Sequence, residues 1–319
     1  MKNKSHINKQ VCALKMACIS VFIGLLVLTL NACGRGKNNV PKETLFSGFI
    51  KIVVDETLVP IIKEEADVFE AMYPMSGIVI KNVSEVEAIN ALLHDSTRLA
   101  VMTRPLTNEE IEYLNSKKQF PKSIKMATDG IAFVINKHNP DSAITVDALK
   151  RILSGEVAYW NELFKNSRMG AFSIAYDNRN SSTVRYVQDT IIGSKELSPR
   201  SFAAGSSDAV VNYVKETKGA IGIIGVNWIS GEYDSITREF LNDIQVMRVN
   251  GVQPYQYYLY TEEYPFRRDI YLNINDYLGG LPTGFVNFVT SGRGQRIILK
   301  AGLLPATMPV NIVNIRENL

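Results

Sequence analysis

Thiols are scarce in this chain and confined to one end of it. Its three cysteines, Cys12, Cys18 and Cys33, all fall within the first 33 residues, so the sequence beyond them can form no disulfide, no thiolate metal site and no cysteine nucleophile. Histidine is nearly as sparse: past the N-terminal segment only His94 and His138 remain. No H-E-x-x-H, C-x-x-C or Walker A glycine loop occurs, which removes the zincin, thiol-redox and P-loop classes. The glycines at every third position from Gly219 to Gly225 read as a tight turn beside a strand. Charge of one sign never accumulates. Of the net charge of +3, the four lysines Lys2, Lys4, Lys9 and Lys15 supply +4, which leaves −1 for the rest. A near-neutral chain without a Lys/Arg block has no electrostatic footprint for nucleic acid. Long apolar runs are also missing: Val21 to Leu30 is about half of the roughly 20 residues a membrane-spanning helix needs.

What stands at the N-terminus has the three parts of a bacterial export signal: lysines, an apolar run from Met16 to Leu30, and small residues before a cysteine. Leu30-Asn31-Ala32-Cys33 resembles a lipobox, in which the cysteine is acylated and the chain is cut before it. The expectation is a signal peptide over 1–32, a lipidated tether over 33–46, and a periplasmic or otherwise extracytoplasmic protein held by Cys33 to the cell membrane or outer membrane. An uncleaved membrane anchor is the weaker reading, because its apolar core is short. Gly34 to Phe46 is polar, contains Pro41 and has no apolar period, as a tether requires. The roughly 287 residues after the signal fit two lobes of ordinary size.

From residue 47 onward, strand and helix patterns alternate. Apolar or alternating runs predict strands at Phe49–Val54, Ile78–Lys81, Leu99–Met102, Ile131–Ile135, Phe172–Ala175, Ile221–Ile224, Ile244–Val249 and Ile270–Ile274. Leu58, Ile61, Ile62, Ala66, Phe69 and Met72 fall at helical spacing before Pro74, which predicts a helix from Thr57 to Tyr73. Ser84-Glu85-Val86-Glu87 and Thr107-Asn108-Glu109-Glu110 match the capping box and open two more. Further helices are expected over Thr145–Leu153, Thr183–Ile192, Asp208–Lys215 and Gly284–Lys300, the last broken around Gly292 and Gly294. Such alternation predicts α/β lobes with mainly parallel sheets. The Tyr255–Tyr260 stretch reads as an irregular strand or surface loop rather than a sugar or partner platform.

Parallel sheets hold ligands outside the carboxyl ends of their strands, where helices begin. Four junctions therefore draw attention. In Asp177-Asn178-Arg179-Asn180-Ser181-Ser182-Thr183, three hydroxyls in a row open a helix; they suit an anion met by free N–H groups, or one of them simply caps the helix. Val54-Asp55-Glu56-Thr57 offers the Thr57 hydroxyl beside two carboxylates. One of these can take a proton from a partly protonated phosphate, or both merely favour the helix N-terminus. Thr103-Arg104 places a guanidinium after a strand, where it can fork onto an oxyanion or form a structural salt bridge. Asp129, before the apolar strand Ile131–Ile135, can accept from a ligand or hold a turn.

At these junctions the sequence resembles the PstS family, the phosphate-binding proteins of ABC transporters, over most of residues 47–305. Ala127-Thr128-Asp129-Gly130-Ile131-Ala132 with Asn136, Asn139 and Pro140 looks like that family's A-x-D-G-I-A-x-x-x-N…N-P segment. Ile152-Leu153-Ser154-Gly155 with Trp160-Asn161-Glu162-Leu163, then Gly219-Ala220-Ile221-Gly222, Tyr264-Pro265-Phe266-x-Arg268 and Phe285 to Gln295 match further segments in order. The resemblance implies a two-lobed type II periplasmic binding protein fold, each lobe a mainly parallel sheet flanked by helices, joined by two crossing strands. Lobe 1 would take 47–128 plus 253–319 and lobe 2 would take 129–252. It also implies a non-enzymatic monomer without cofactor or metal that binds phosphate or a related oxyanion and docks on a membrane permease. The implied ligand contacts are Glu56, Thr57, Ser84, Thr103, Arg104, Asp129, Arg179, Ser181, Ser182 and Thr183. The chain departs from the family pattern at Asp55-Glu56, at Val83-Ser84-Glu85, and at Ser182 in place of a glycine. Those departures leave a second reading open: a lipoprotein scaffold or sensor that keeps the fold without a transport role.

Overall fold

The computed structural model describes residues 43–230 and 242–309. The signal segment, Cys33 and most of the tether lie outside the described residues. Near the start of the described chain, Glu43 accepts from the Arg98 guanidinium at 2.8 Å and from the Leu281 N–H at 3.2 Å, while Arg98 also donates to Asp276.

Strand β1 (Gly48–Asp55) leads through a short turn into helix α1 (Val59–Met72). Pro60 suits the first turn of this helix, where an N–H would be unpaired anyway, and Pro74 follows its end. Its inner face is Ile61, Ile62, Ala66 and Phe69, at the expected helical spacing. Then come β2 (Ser76–Val83), α2 (Glu85–Leu93), β3 (Leu99–Met102) and α3 (Asn108–Ser116). Both capping boxes form, at Ser84/Glu87 and at Thr107/Glu110. The second part of the chain supplies β4 (Lys122–Asn136), β5 (Ala143–Ile144), β6 (Ser173–Tyr176), a helical segment starting at Ser182, β7 (Ser201–Ala203), helix Ser207–Glu216, β8 (Ala220–Gly225), β9 (Ile244–Val246), β10 (Arg248–Val249) and β11 (Arg267–Ile274).

The strands run in the order β2-β1-β3-β11-β4-β8-β6-β7. β1 pairs parallel with β2 and β3, and β6 pairs parallel with β7 and β8. Between these two parallel sets run β4 (Lys122–Asn136) and β11 (Arg267–Ile274), antiparallel to each other and to their outer neighbours. The apolar residues form separate cores. One gathers Ile52, Leu58, Phe69, Leu272 and Phe285 against the β1 side, and another gathers Phe133, Ile135, Trp160, Ile174 and Ile223 on the β8 side. β4 serves both, pairing through its first half with β11 and through its second half with β8. This is the mixed α/β architecture expected from the sequence.

Four local expectations need correction. β4 begins at Lys122 rather than Ile131, because Lys122, Ser123 and Lys125 lie on a half-exposed stretch whose polarity hid the strand. The helix after Ser181 is α only over Ser182–Tyr186 and continues as a π-helix through Ile192. The run expected over Gly284–Lys300 starts earlier, at Leu281, and its expected break falls just before Gly292, between the helices Leu281–Val289 and Gly292–Lys300, with Ser291 capping the second. The tyrosine-rich stretch forms the short helix Gln256–Tyr260. Trp160 is fully buried and gives its indole N–H to the Gly219 carbonyl at 2.9 Å, so its polar atom is satisfied within the core.

One core group is out of place chemically. Glu65, on the inner face of α1, is 0% exposed and neither carboxylate oxygen has a hydrogen-bond partner. Burial, with a smaller push from Glu64, raises its pKa to about 8. The folded chain therefore keeps a proton that the unfolded chain releases above its ordinary value near 4.5, so stability falls as pH rises from there and levels off above 8. Glu65→Met should relieve the burial cost of an unpaired protonated carboxyl, on the order of 1–3 kcal/mol, at pH 4.5, and more at pH 8, where the folded chain must also hold a proton that the unfolded chain releases. Thermal melts of both proteins at the two pH values check this; an equal shift at both would contradict it.

Candidate functional site

Arg268 and Asp129 face each other in register across β11 and β4, at the point where β4 passes from one core to the other. Arg268 is 5% exposed and Asp129 fully buried, so the pair is almost wholly out of water. The guanidinium donates to Asp129 Oδ2 from Nε at 3.1 Å and from Nη2 at 2.9 Å. Its other donor directions reach both sides of the molecule. Nη2 donates to Thr57 Oγ1 at 3.1 Å and Nη1 donates to Ser182 Oγ at 3.0 Å. The two hydroxyls stand 3.3 Å apart although they are 125 residues apart in the chain. Gly225, ending β8, makes room for this. A Cβ there would lie 2.6 Å from Arg268 Nη2 and 3.0 Å from Asp129 Oδ2.

Around that centre the hydrogen bonds close tightly. Thr57 donates from its hydroxyl to Asp55 Oδ1 at 2.6 Å and from its N–H at 2.9 Å. Asn227, just past β8, gives its N–H to Asp129 Oδ1 and its amide to the Thr57 carbonyl at 2.8 Å; the Trp228 indole reaches the same carbonyl at 3.1 Å. Ser181 caps the helix start by accepting from the Val184 N–H and donates to Asp177 Oδ1 at 2.7 Å. Four polar atoms in the centre have no partner among the described residues: Asp55 Oδ2, Asp177 Oδ2, Thr183 Oγ1 and Asn227 Oδ1, on residues 0–6% exposed. Burial, with repulsion from Glu85, raises the Asp55 pKa against the pull of Arg268 and Thr57. Burial also raises Asp177 to about 6, aided by Asp55 and opposed by Ser181 and Arg268. Acceptors without donors and a hydroxyl without a partner, beside a guanidinium, suit a small polar guest that carries both oxygens and a proton.

A second cluster flanks the first. Glu85, opening α2, accepts from Arg185 Nε at 2.5 Å and from the Thr103 hydroxyl at 2.9 Å, and Arg185 Nη2 also donates to Thr103 Oγ1 at 2.9 Å. Burial pushes Glu85 up, but the bonds from Arg185 and Thr103 and the charge of Arg104 outweigh it and hold it below the usual carboxylate range.

Of the ten expected contacts, Thr57, Asp129 and Ser182 meet at the guanidinium, with Thr183 and Ser181 buried beside them. Glu56 is buried at the rim, accepting from Ser207. Thr103 belongs to the Glu85 cluster. Three residues are placed elsewhere. Ser84 spends its hydroxyl in the α2 capping box, Arg104 turns its fork onto Glu110 at 2.8 Å on both nitrogens, and Arg179 is exposed. Local sequence explains the first two, since a capping carboxylate three or six residues on is nearer than the cleft. The guanidinium that does reach the centre, Arg268, was visible only as one letter of the Tyr264-Pro265-Phe266-x-Arg268 match. Its partners lie 86 to 211 residues away, so no local pattern marks it.

Comparison with known proteins follows the same lines. A family model described as "PBP superfamily domain" matches residues 32–293. The phosphate-binding protein PstS of Pseudomonas aeruginosa is 23% identical over 295 residues, covering 86% of this chain and 88% of that protein. PstS of Borreliella burgdorferi is 24% identical over 226 residues, covering 68% and 75%. Among solved structures, a substrate-binding protein from Clostridium perfringens, assigned to a phosphate ABC transporter and solved with bound phosphate, superposes with a TM-score of 0.69 at 21% identity, over 81% of this chain and all of that one. An ABC-type phosphate transport receptor from Vibrio cholerae gives 0.61 at 18% identity, over 82% and 100%. The type II binding-protein fold is therefore shared, and the family match runs through the greater part of the sequence: the chain belongs to the PBP superfamily.

Proposed function

We propose that this chain is a lipid-anchored, extracytoplasmic solute-binding protein that captures inorganic phosphate, or a closely related oxyanion, for an ABC transporter. In this reading residues 47–128 plus 253–319 act as one lobe and 129–252 as the other, and Cys33 carries the lipid. The observation that carries it is the convergence of the Thr57 and Ser182 hydroxyls and the Arg268 guanidinium, from the two sides of the β4 crossing, on one buried point. The PstS relatives point to the same ligand class.

Chemistry narrows the guest. A tetrahedral oxyanion entering between Thr57, Ser182 and Arg268 takes over hydrogen bonds that these groups otherwise make with one another, and charge assistance strengthens them. The bare oxygens of Asp55 and Asp177 need a donor, which a partly protonated phosphate supplies and fully ionised sulfate lacks. Hinged closure would exclude water, and the closed form would dock on a permease. The role is capture, with no bond made or broken. No helix among the described residues is long and apolar enough to cross a membrane; in this reading the lipid on Cys33 supplies the membrane attachment. The competing role of scaffold or sensor draws on one feature, the crowd of buried carboxylates at Asp55, Glu56, Asp129 and Asp177.

Isothermal titration of the chain without its first 33 residues should show saturable one-to-one binding of phosphate and none of sulfate. Absence of saturable binding of phosphate, arsenate, sulfate or molybdate removes the capture role and leaves the scaffold. Thr57→Val and Ser182→Ala each delete one donor and should weaken phosphate binding roughly 10- to 100-fold, the worth of a hydrogen bond to a charged group.

Gly225→Ala tests the central arginine without removing any donor: the added Cβ lies 2.6 Å from Arg268 Nη2, 2.8 Å from Asn227 Nδ2 and 3.0 Å from Asp129 Oδ2. The added methyl forces Arg268 Nη2 to move, so phosphate affinity should drop by at least about tenfold while the far-ultraviolet circular dichroism stays unchanged. Undiminished binding would show that Arg268 does not meet the guest.

A further inference from the structure

The six most exposed large apolar side chains among the described residues all lie toward one end of the β1 side: Phe120, Leu278, Phe49, Tyr277, Met75 and Val79, each 59–74% exposed. That end is where the strands begin. Gly48 opens β1 opposite Ser76, which opens β2, and Leu99 opens β3. Ile274, closing β11, pairs with both Leu99 and Lys122, the first residue of β4. Met75 directly precedes β2, and its carbonyl accepts from the Gly48 N–H at 2.9 Å. Phe120 leads into β4. Beside it Gln119 accepts from the Asn275 amide at 3.1 Å, which joins its loop to the one that carries Tyr277 and Leu278.

The chain enters at this same end. Arg98, just before β3, bonds both Glu43 and Asp276, and Tyr277 follows Asp276 directly. The cleft lies at the opposite end of these strands: Asp55 closes β1 and Glu56 and Thr57 follow it, Ser84 follows β2 and Thr103 follows β3. The eight residues of β1 set the two ends roughly 25 Å apart. Charge at the entry end favours anions. Arg98 holds the carboxylates of Glu43 and Asp276, and Glu70 accepts from the Ile78 N–H. Lys51, Lys117, Lys118 and Lys122 are exposed there, against the exposed acids Asp95 and Glu112.

Exposed rings interspersed with lysines are the composition that settles at the boundary of headgroups and acyl chains. A second copy docked by the same end would set these lysines against their own counterparts, whereas anionic headgroups meet them favourably. We propose that this end is a membrane seat: Phe49, Phe120 and Leu278 enter the headgroup layer of the bilayer that anchors Cys33, and Lys51, Lys118 and Lys122 meet its anionic headgroups. The proposal rests on the anchoring by Cys33 given above and is independent of which guest the cleft holds. Ten residues lead from Cys33 to Glu43, a reach of at most about 36 Å, and they arrive among the seating residues. So short a tether keeps the surface at high local concentration, and individually weak contacts suffice. Seated in this way the chain keeps its cleft open to the solution for loading; delivery to a permease requires it to lift and turn within the reach of the tether.

The test uses the chain from Cys33 onward, in which Cys33 is the one thiol. It is coupled through that thiol to a maleimide lipid in vesicles of equal parts phosphatidylglycerol and phosphatidylcholine, or of phosphatidylcholine alone. Hydrogen exchange at the backbone amides of residues 117–122 and 275–280 should slow by about tenfold or more on the anionic vesicles relative to the uncoupled chain, and less on the neutral ones. The helix Ser207–Glu216 should exchange at the same rate in all three states. The triple variant Phe49→Ser/Phe120→Ser/Leu278→Ser and the double variant Lys118→Glu/Lys122→Glu should each abolish the slowing and leave the titration with inorganic phosphate unchanged. Exchange that does not slow on anionic vesicles, slows equally in the variants, or slows equally over the whole chain overturns the seat, even if phosphate binds. Slowing that disappears in the variants, with phosphate bound by none of the proteins, supports the seat and overturns the capture role instead. Sedimentation equilibrium of the uncoupled wild type should give a monomer; a dimer dispersed by the triple variant assigns this end to a second copy and overturns the lipid seat.

Discussion

The buried ion pair between Arg268 and Asp129 is the constraint on which the rest of the site depends. Taking both charges out of water is costly unless each is closely paired and its remaining hydrogen-bonding capacity is used. The fold meets that condition by placing the two residues opposite one another on adjacent strands and lining the space around them with hydroxyls and an amide. The same requirement explains the bare glycine at the end of β8, since any side chain there would push the guanidinium off its partners. Losing Asp129 would leave an unpaired buried cation, and losing Arg268 would leave Asp129, Asp55 and Asp177 facing one another without a counter-charge.

The location of the pair matters as much as its chemistry. β4 and β11 are the two strands that lie between the parallel sets, so the ion pair sits where one core gives way to the other. Thr57 and Ser182 are carried by different cores and approach the guanidinium from opposite sides. An arrangement of this kind separates functions. The arginine is held on the central strands, while the hydroxyls belong to the cores on either side.

Much of the fold could be read from sequence because its signals are local. The capping boxes at Ser84 and Thr107, the apolar stripe of the first helix and the short apolar strands each depend on residues a few positions apart, and the structure follows them. The first half of β4 was hidden for the opposite reason: its pairing with β11 overrides a polar stretch around Lys122 and Lys125. At the site, Thr57 and Ser182 were visible as hydroxyls at strand-to-helix junctions. Arg104 misled, because a guanidinium after a strand looks the same whether it faces a cleft or a carboxylate six residues on. Arg268, Arg185 and Ser207 acquire their roles through partners at least 80 residues away, and no spacing rule reaches that far.

The attachment of Glu43 carries a mechanical implication. Its carboxylate is held by Arg98, just before β3, and by the start of the helix Leu281–Val289, both packed on the β1 side. Any tension applied through the chain upstream of residue 43 is therefore borne by that half alone. Those anchoring contacts share no atom with the Arg268–Asp129 pair, so the entry of the chain and the charged centre are fastened to the sheet independently.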